Sequence, residues 1–181
     1  MCRLLLQIGE KLSDLTYEEY IQACADYFGQ AKKDIHERNI SSIHDHRDGY
    51  GVSMLSKGHF AIARYIEPIY ERNPAPEWVK LETDFLLAHA RRASPGIQVN
   101  ITNNHPFYWY DYNREFIFCH NGTIRSNLTN YDDRKYFIKS TTDSEKFFYA
   151  LLTKLELNNW EMSEEVVKET IKDYDYTGAN F

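Results

Sequence analysis

Cysteine is scarce: Cys2, Cys24 and Cys119 are the three in 181 residues. They are too few and too scattered for a disulfide framework or a Cys-x-x-Cys metal site, so a reducing cytoplasm is the expected setting. Positive charge is also short. Lys and Arg number 21 against 27 Asp and Glu, a net charge of −6. That excludes a general nucleic-acid-binding surface while leaving room for a local basic pocket. No apolar run approaches the length of a membrane span, and Leu4-Leu5-Leu6 is too short for the core of a signal peptide, so neither a membrane segment nor a secretory leader is expected. A nucleotide-binding glycine loop is missing, and no carboxylate–histidine set has familiar metal-ligand spacing. Neither metal nor cofactor is therefore expected.

What is present describes a globular chain. Hydrophobic residues make up 43% and aromatics 15%, enough for one domain over residues 1–181 with a sizeable, aromatic-rich core. Arg3 to Ile8 reads as a short buried strand closed by Gly9. Thr16 and Glu19 have capping-box spacing, and Tyr17, Tyr20, Ile21, Cys24, Phe28, Ala31 and Ile35 recur at helical intervals, predicting a helix over 16–38. Residues 50–56 and 59–66 read as a hairpin turning at Lys57-Gly58. A short helix near 77–82 follows three prolines. Strands are expected over 85–91 and 115–120, with a polar loop over 94–104 between them. Thr142 and Glu145 open a second capped helix, and Ser163 a third. Helices covering antiparallel sheets make an α+β fold.

The chemistry starts at Met1-Cys2. If the methionine is trimmed, Cys2 carries a thiol and a free α-amine, and the amine's pKa near 8 suits it to serve as a built-in general base. Further polar groups cluster at expected strand and loop ends, where a rigid sheet holds them in a cleft. The guanidinium of Arg91 offers two parallel donors to a carboxylate, although a lone arginine is more often a surface ion pair. Asn121-Gly122 supplies an amide and a backbone N–H, the pair an oxyanion hole needs, or else an ordinary turn. Asp143 suits a substrate ammonium, or simply a helix N-terminus. Asn104-His105-Pro106 also reads as a fixed turn.

Taken in order, Cys2, Asp48-Gly49-Tyr50-Gly51, His89-Ala90-Arg91, Asn104-His105-Pro106, His120-Asn121-Gly122-Thr123-Ile124 and Thr142-Asp143-Ser144-Glu145 resemble the class II glutamine amidotransferases. The resemblance runs up to about residue 150 and looks most like the stand-alone branch. It implies an N-terminal-nucleophile hydrolase: a four-layer αββα sandwich, with residues 1–181 forming a glutaminase domain that lacks its last strands. It implies Cys2 as nucleophile, and Asn121 and Gly122 as oxyanion donors. Arg91, His105 and Asp143 would bind substrate. Glutamine would be hydrolysed through a Cys2 thioester to glutamate and ammonia, without metal. A synthase partner receiving the ammonia is implied, and a homo-oligomer is allowed. Arg92 stands where some members have an aromatic residue. A γ-glutamyl amide hydrolase acting on a larger metabolite shares the same head group and is the main alternative. A metal hydrolase using His44, His46, His89, His105 or His120, and a binding module that lost its chemistry, are weaker ones. Cys119-His120 makes a poor dyad, since adjacent strand residues face opposite ways.

Overall fold

The computed structural model describes residues 2–9, 17–33, 45–72, 83–127, 129–172, 174–178 and 180. They divide into two compact units, residues 1–119 and 120–181.

The first unit is built on a four-stranded antiparallel sheet of β1 (Arg3–Ile8), β4 (Phe85–Ala90), β2 (Tyr50–Ser56) and β3 (His59–Tyr65), in that spatial order. Strands β2 and β3 form the expected hairpin, Ser56 opposite His59. Its two turn residues both take positive φ, 52° at Lys57 and 83° at Gly58, the conformation whose twist matches that of the flanking strands. Register aligns Leu5, Ala88, Val52 and Ala63 across all four strands. On that face the sheet packs against Tyr27, Phe28 and Ala31 of α1 (Tyr17–Lys32) and Ile69 of the short α2 (Ile69–Arg72). Each large apolar side chain so buried contributes about 1.5–3 kcal/mol. Tyr50 and Tyr65, directly opposite one another, stack at 4.7 Å.

The other face of the sheet is apolar toward one end, where Leu6, Leu87 and Ile62 share a row with Ser53 and Ile8, Phe85, Leu55 and Phe60 form the next; toward the other end it carries His89, Gly51 and Arg64. Strands with apolar residues on both faces lack the alternation of a half-solvated sheet.

A second antiparallel pair, β5 (Phe107–Tyr110) with β6 (Glu115–Phe118), completes this unit. Strand β5 is not among the expected strands, because Phe-Tyr-Trp-Tyr is short and has no alternation. Strand β6 is shorter than the expected 115–120. The ladder stops at Phe118 because its partner Phe107 follows Pro106, which has no N–H to offer Cys119. Similarly, β4 ends at Ala90, one residue before Arg91. The expected loop over 94–104 contains one 3-10 turn, Ile101–Asn103. Thr16, the Cys24 side chain, residues 34–38 and the expected helix at 77–82 lie outside the described residues.

The second unit holds α3 (Asp143–Leu157) and α4 (Glu164–Ile171). Thr142 caps α3 as expected, accepting from Glu145 N. The Glu145 carboxylate instead takes the N–H groups of Lys139 and Ser140, at 3.0 and 2.6 Å, tying down the approach to the helix. Phe147, Phe148, Ala150, Leu151, Leu152 and Leu155 are buried, so α3 is the spine of this unit. Its end is a Schellman motif: Trp160 N donates to Leu155 O and Asn159 N to Glu156 O, with Asn159 at φ 53°. Ser163 caps α4 through Val166 N. The last residues run beside 121–125, with bridges Asn121–Asn180 and Ile124–Tyr176. The whole is a mixed α+β protein with antiparallel sheets.

Candidate active site

Three of the six expected site residues, Cys2, Arg91 and His105, fall in the first unit, and three, Asn121, Gly122 and Asp143, in the second.

In the first unit, sheet register decides the arrangement. Arg3 is opposite Ala90, and Ala90 is opposite Tyr50. One residue beyond these pairs, Cys2 and Arg91 therefore stand side by side at the same end of the sheet, with Gly49 next to them. Backbone bonds continue past the strand ends: Arg91 N donates to Gly49 O at 2.9 Å and Asp48 N to Arg91 O at 3.1 Å. The Asp48 carboxylate then accepts from Ala93 N at 2.7 Å. Asp48 thus straddles Arg92, whose carbonyl lies 3.8 Å from the Cys2 sulfur. Arg91 is buried, 4% exposed, and its Nη1 reaches Gln98 O at 3.5 Å.

Both glycines of the Asp48-Gly49-Tyr50-Gly51 phrase have a spatial cause. Gly49 sits at φ 99°, and a Cβ there would strike the Asn104 amide and the Tyr65 carbonyl. A Cβ on Gly51 would collide with the carbonyl of His105 and lie 3.1 Å from Pro106 Cδ. The Asn104-His105-Pro106 turn therefore lies directly against β2. It is held there by Asn104 Nδ2 donating to Tyr65 O at 2.6 Å and by Arg64 Nε donating to Pro106 O at 2.9 Å. The buried His105 ring packs against His89, tilted at 46° with centroids 4.2 Å apart, and edge-on to Phe107, 4.7 Å away.

Electrostatics couple the group. Burial pushes the Cys2 thiol up, the Arg91 charge opposes that shift, and Asp48 reinforces it. Burial lowers the Arg91 guanidinium, countered by Cys2 and Asp48; it stays charged at neutral pH. Cys119 is buried and its thiol is pushed well above the ordinary value by desolvation, which disfavours its thiolate. Cys2 is the reactive candidate of the two.

In the second unit, Asn121 N donates to Asn180 O at 2.9 Å, fixing the Asn121-Gly122 backbone. A Cβ on Gly122 would meet the Gly178 carbonyl and come within 2.6 Å of His120 Nε2, so glycine is required there by close approach. Asp143 Oδ2 accepts from Ile124 N at 2.5 Å and Oδ1 from Ser144 N at 2.8 Å. His120 and Ser144, both buried, connect these residues. From sequence, Asp48, Asn104 and Ser144 carry no role beyond their place in the motifs, and His120 is only a candidate metal ligand or dyad partner. Their signal is only their position beside a glycine or a helix cap.

Among the described residues no three His, Cys, Asp or Glu side chains are grouped to hold a metal ion. His44 lies outside them, and His46 Nδ1 is engaged with Ala31 O at 3.0 Å. No described helix is long and apolar enough to cross a membrane.

The chain is 32% identical over 146 residues to an uncharacterized protein of Methanocaldococcus jannaschii, covering 75% of this chain and 39% of that one. It is 32% identical over 106 residues to glutamine–fructose-6-phosphate aminotransferase (isomerizing) 2 of Mus musculus, covering 51% of this chain and 15% of that enzyme. Among solved structures, the predicted glutamine amidotransferase of Pseudomonas aeruginosa PA01 aligns with a TM-score of 0.47 at 20% identity, over 75% of this chain and 53% of that one. The chain thus spans only part of the length of the relatives it matches. The family model for class-II glutamine amidotransferases matches residues 15–179, a span that begins after Cys2 and takes in the Arg91, Asn121-Gly122 and Asp143 positions. This chain belongs to the class-II glutamine amidotransferases.

Proposed function

We propose that residues 1–181 are a glutaminase domain that hydrolyses the side-chain amide of glutamine through a thioester on Cys2. The observation that carries this reading is the pairing of Cys2 with the buried cation Arg91 at one end of the sheet. A thiol raised by burial needs a base beside it. Removal of Met1 supplies one, the α-amine of Cys2 itself.

In this mechanism the amine takes the thiol proton as sulfur attacks the amide carbonyl. Asn121 Nδ2 and the Gly122 N–H stabilise the tetrahedral oxyanion. The C–N bond breaks as the amine returns its proton, ammonia leaves, and water hydrolyses the thioester to glutamate. Arg91 grips the α-carboxylate and Asp143 the α-ammonium, while His105 contributes to the wall of the substrate site. Two polar ends read together distinguish glutamine from a simple amide. Ammonia would pass to a synthase partner in the cytoplasm. The apolar residues on both faces of the four-stranded sheet favour the four-layer sandwich, since each face then has a layer to bury it.

The test is glutamate release from glutamine, compared with a chromogenic γ-glutamyl amide. Intact mass is measured after exposure to a thiol-reactive glutamine analogue. Cys2→Ala should abolish turnover and labelling, and Asn121→Ala should cost about 10²–10³ in kcat. Turnover that survives in Cys2→Ala refutes the proposal.

A further inference from the structure

His120 has no part in the steps above, yet it is 1% exposed and joins three pieces of the second unit. Its Nε2 lies 3.0 Å from the Gly178 carbonyl and its Nδ1 3.0 Å from Ser144 Oγ. Ser144 Oγ is in turn 3.3 Å from Asp143 Oδ1, an oxygen that already accepts from Ser144 N.

The hydrogens in this chain are constrained. A carbonyl oxygen only accepts, so Nε2 carries the proton toward Gly178, and in the neutral imidazole Nδ1 is then an acceptor. The Ser144 hydroxyl has one proton and two acceptors in reach, Nδ1 and Asp143 Oδ1. The shorter contact, 3.0 against 3.3 Å, is to His120. With Nδ1 bare, the hydroxyl hydrogen is the only proton that can bridge the Nδ1–Oγ contact, so the hydroxyl turns toward the ring and away from the carboxylate.

We infer that His120 is a positioning residue for the ammonium-binding carboxylate: by drawing the Ser144 hydroxyl proton to Nδ1 it keeps the Oδ1 edge of Asp143 open to the substrate's α-ammonium. The same ring also shapes the oxyanion donor. The His120–Gly178 bond occupies the space a Gly122 side chain would need, which holds the Gly122 backbone close against it. One histidine thus sets both the carboxylate and the adjacent N–H. The inference rests on Asp143 binding the α-ammonium of glutamine.

Two measurements on the full chain test it. The first is the ¹⁵N spectrum of the His120 imidazole in the wild-type protein, which should show a protonated Nε2 and a bare Nδ1 whose signal moves in Ser144→Ala. An Nδ1 that carries a proton, in a neutral or a cationic ring, overturns the inference whether or not the protein is active. The second is steady-state kinetics of His120→Gln, in which the amide still reaches Gly178 O but Ser144 loses its acceptor. Its hydroxyl then turns to Asp143, and KM for glutamine should rise about three- to tenfold, the effect of one competing hydrogen bond. Adding Ser144→Ala removes the competitor and should bring KM back toward wild type, with kcat changing less. A double variant with KM as high as or higher than His120→Gln shows a merely structural role and overturns the inference. If the wild-type protein turns over neither glutamine nor a γ-glutamyl amide, the substrate reading itself fails and the ammonium role falls with it. The tautomer result is independent of that outcome.

Discussion

Asp48→Ala removes the carboxylate that accepts from Ala93 N at 2.7 Å, and with it the clasp over residues 91–93. Hydrogen bonds to charged groups contribute about 1.5–3 kcal/mol, and a half-buried acceptor belongs at the low end, about 1.5 kcal/mol. At about 2–4 °C per kcal/mol for a chain of this size, Tm should fall by about 3–6 °C. Asp48→Asn keeps a neutral acceptor in place, and neutral hydrogen bonds are about half as strong, so its Tm should fall by roughly half as much. A second readout concerns the sulfur. The negative charge of Asp48 raises the Cys2 thiol. Removing that charge favours the thiolate, so the midpoint of Cys2 alkylation against pH should move to lower pH in both variants. Calorimetry gives the first quantity, and alkylation followed at the Cys2 peptide by mass spectrometry gives the second. An Asp48→Ala protein as stable as wild type, or a midpoint that stays or moves upward, refutes the proposed clasp and its charge coupling.

Two glycine-to-alanine changes should have opposite signs. Gly51→Ala forces a Cβ against the His105 carbonyl and Pro106 and should destabilise by about 1–3 kcal/mol. Gly29→Ala, in α1 with nothing within 4 Å, should stabilise by about 0.5–1 kcal/mol. Thermal melts of both would expose an error if the signs agree. Glu115 accepts from Phe60 N at 2.9 Å and from His59, and these bonds, the backbone one foremost, hold its carboxyl below the ordinary range. Its folded pKa is depressed, so its contribution is complete above the unfolded pKa and is lost as pH falls through the folded value. Denaturant titrations stepped downward from neutral pH should show wild type losing stability that Glu115→Gln never had. Parallel curves for the two proteins would rule that out.

The legible parts of this molecule were those whose signals are local. The Lys57-Gly58 hairpin, the Thr142 and Ser163 caps and the apolar stripe at Phe28 and Ala31 each depend on a few neighbouring residues. Strand ends were read poorly. The ladder of β6 ends at Phe118 because of the proline just before β5, which no window around Cys119 contains. Strand β5 went unread because four successive aromatics carry no period. The roles of Asp48 and His120 were hidden for a related reason. Each acts through partners far along the chain, Asp48 on Ala93 and His120 on Ser144 and Gly178.

By itself, the sequence determined the kinds of group available: one thiol at position two, a guanidinium, an amide beside a glycine, and a carboxylate at a helix start. Their ordered motifs were enough to point to a family, because side-chain chemistry is carried by identity and survives any fold. Only tertiary structure decided which groups meet. Antiparallel register puts Cys2 beside Arg91, residues nearly ninety positions apart. Close approach, not turn geometry, explains Gly51 and Gly122. Contacts of this kind depend on how strands pair and how loops lie over them, and chain order does not encode those distances residue by residue.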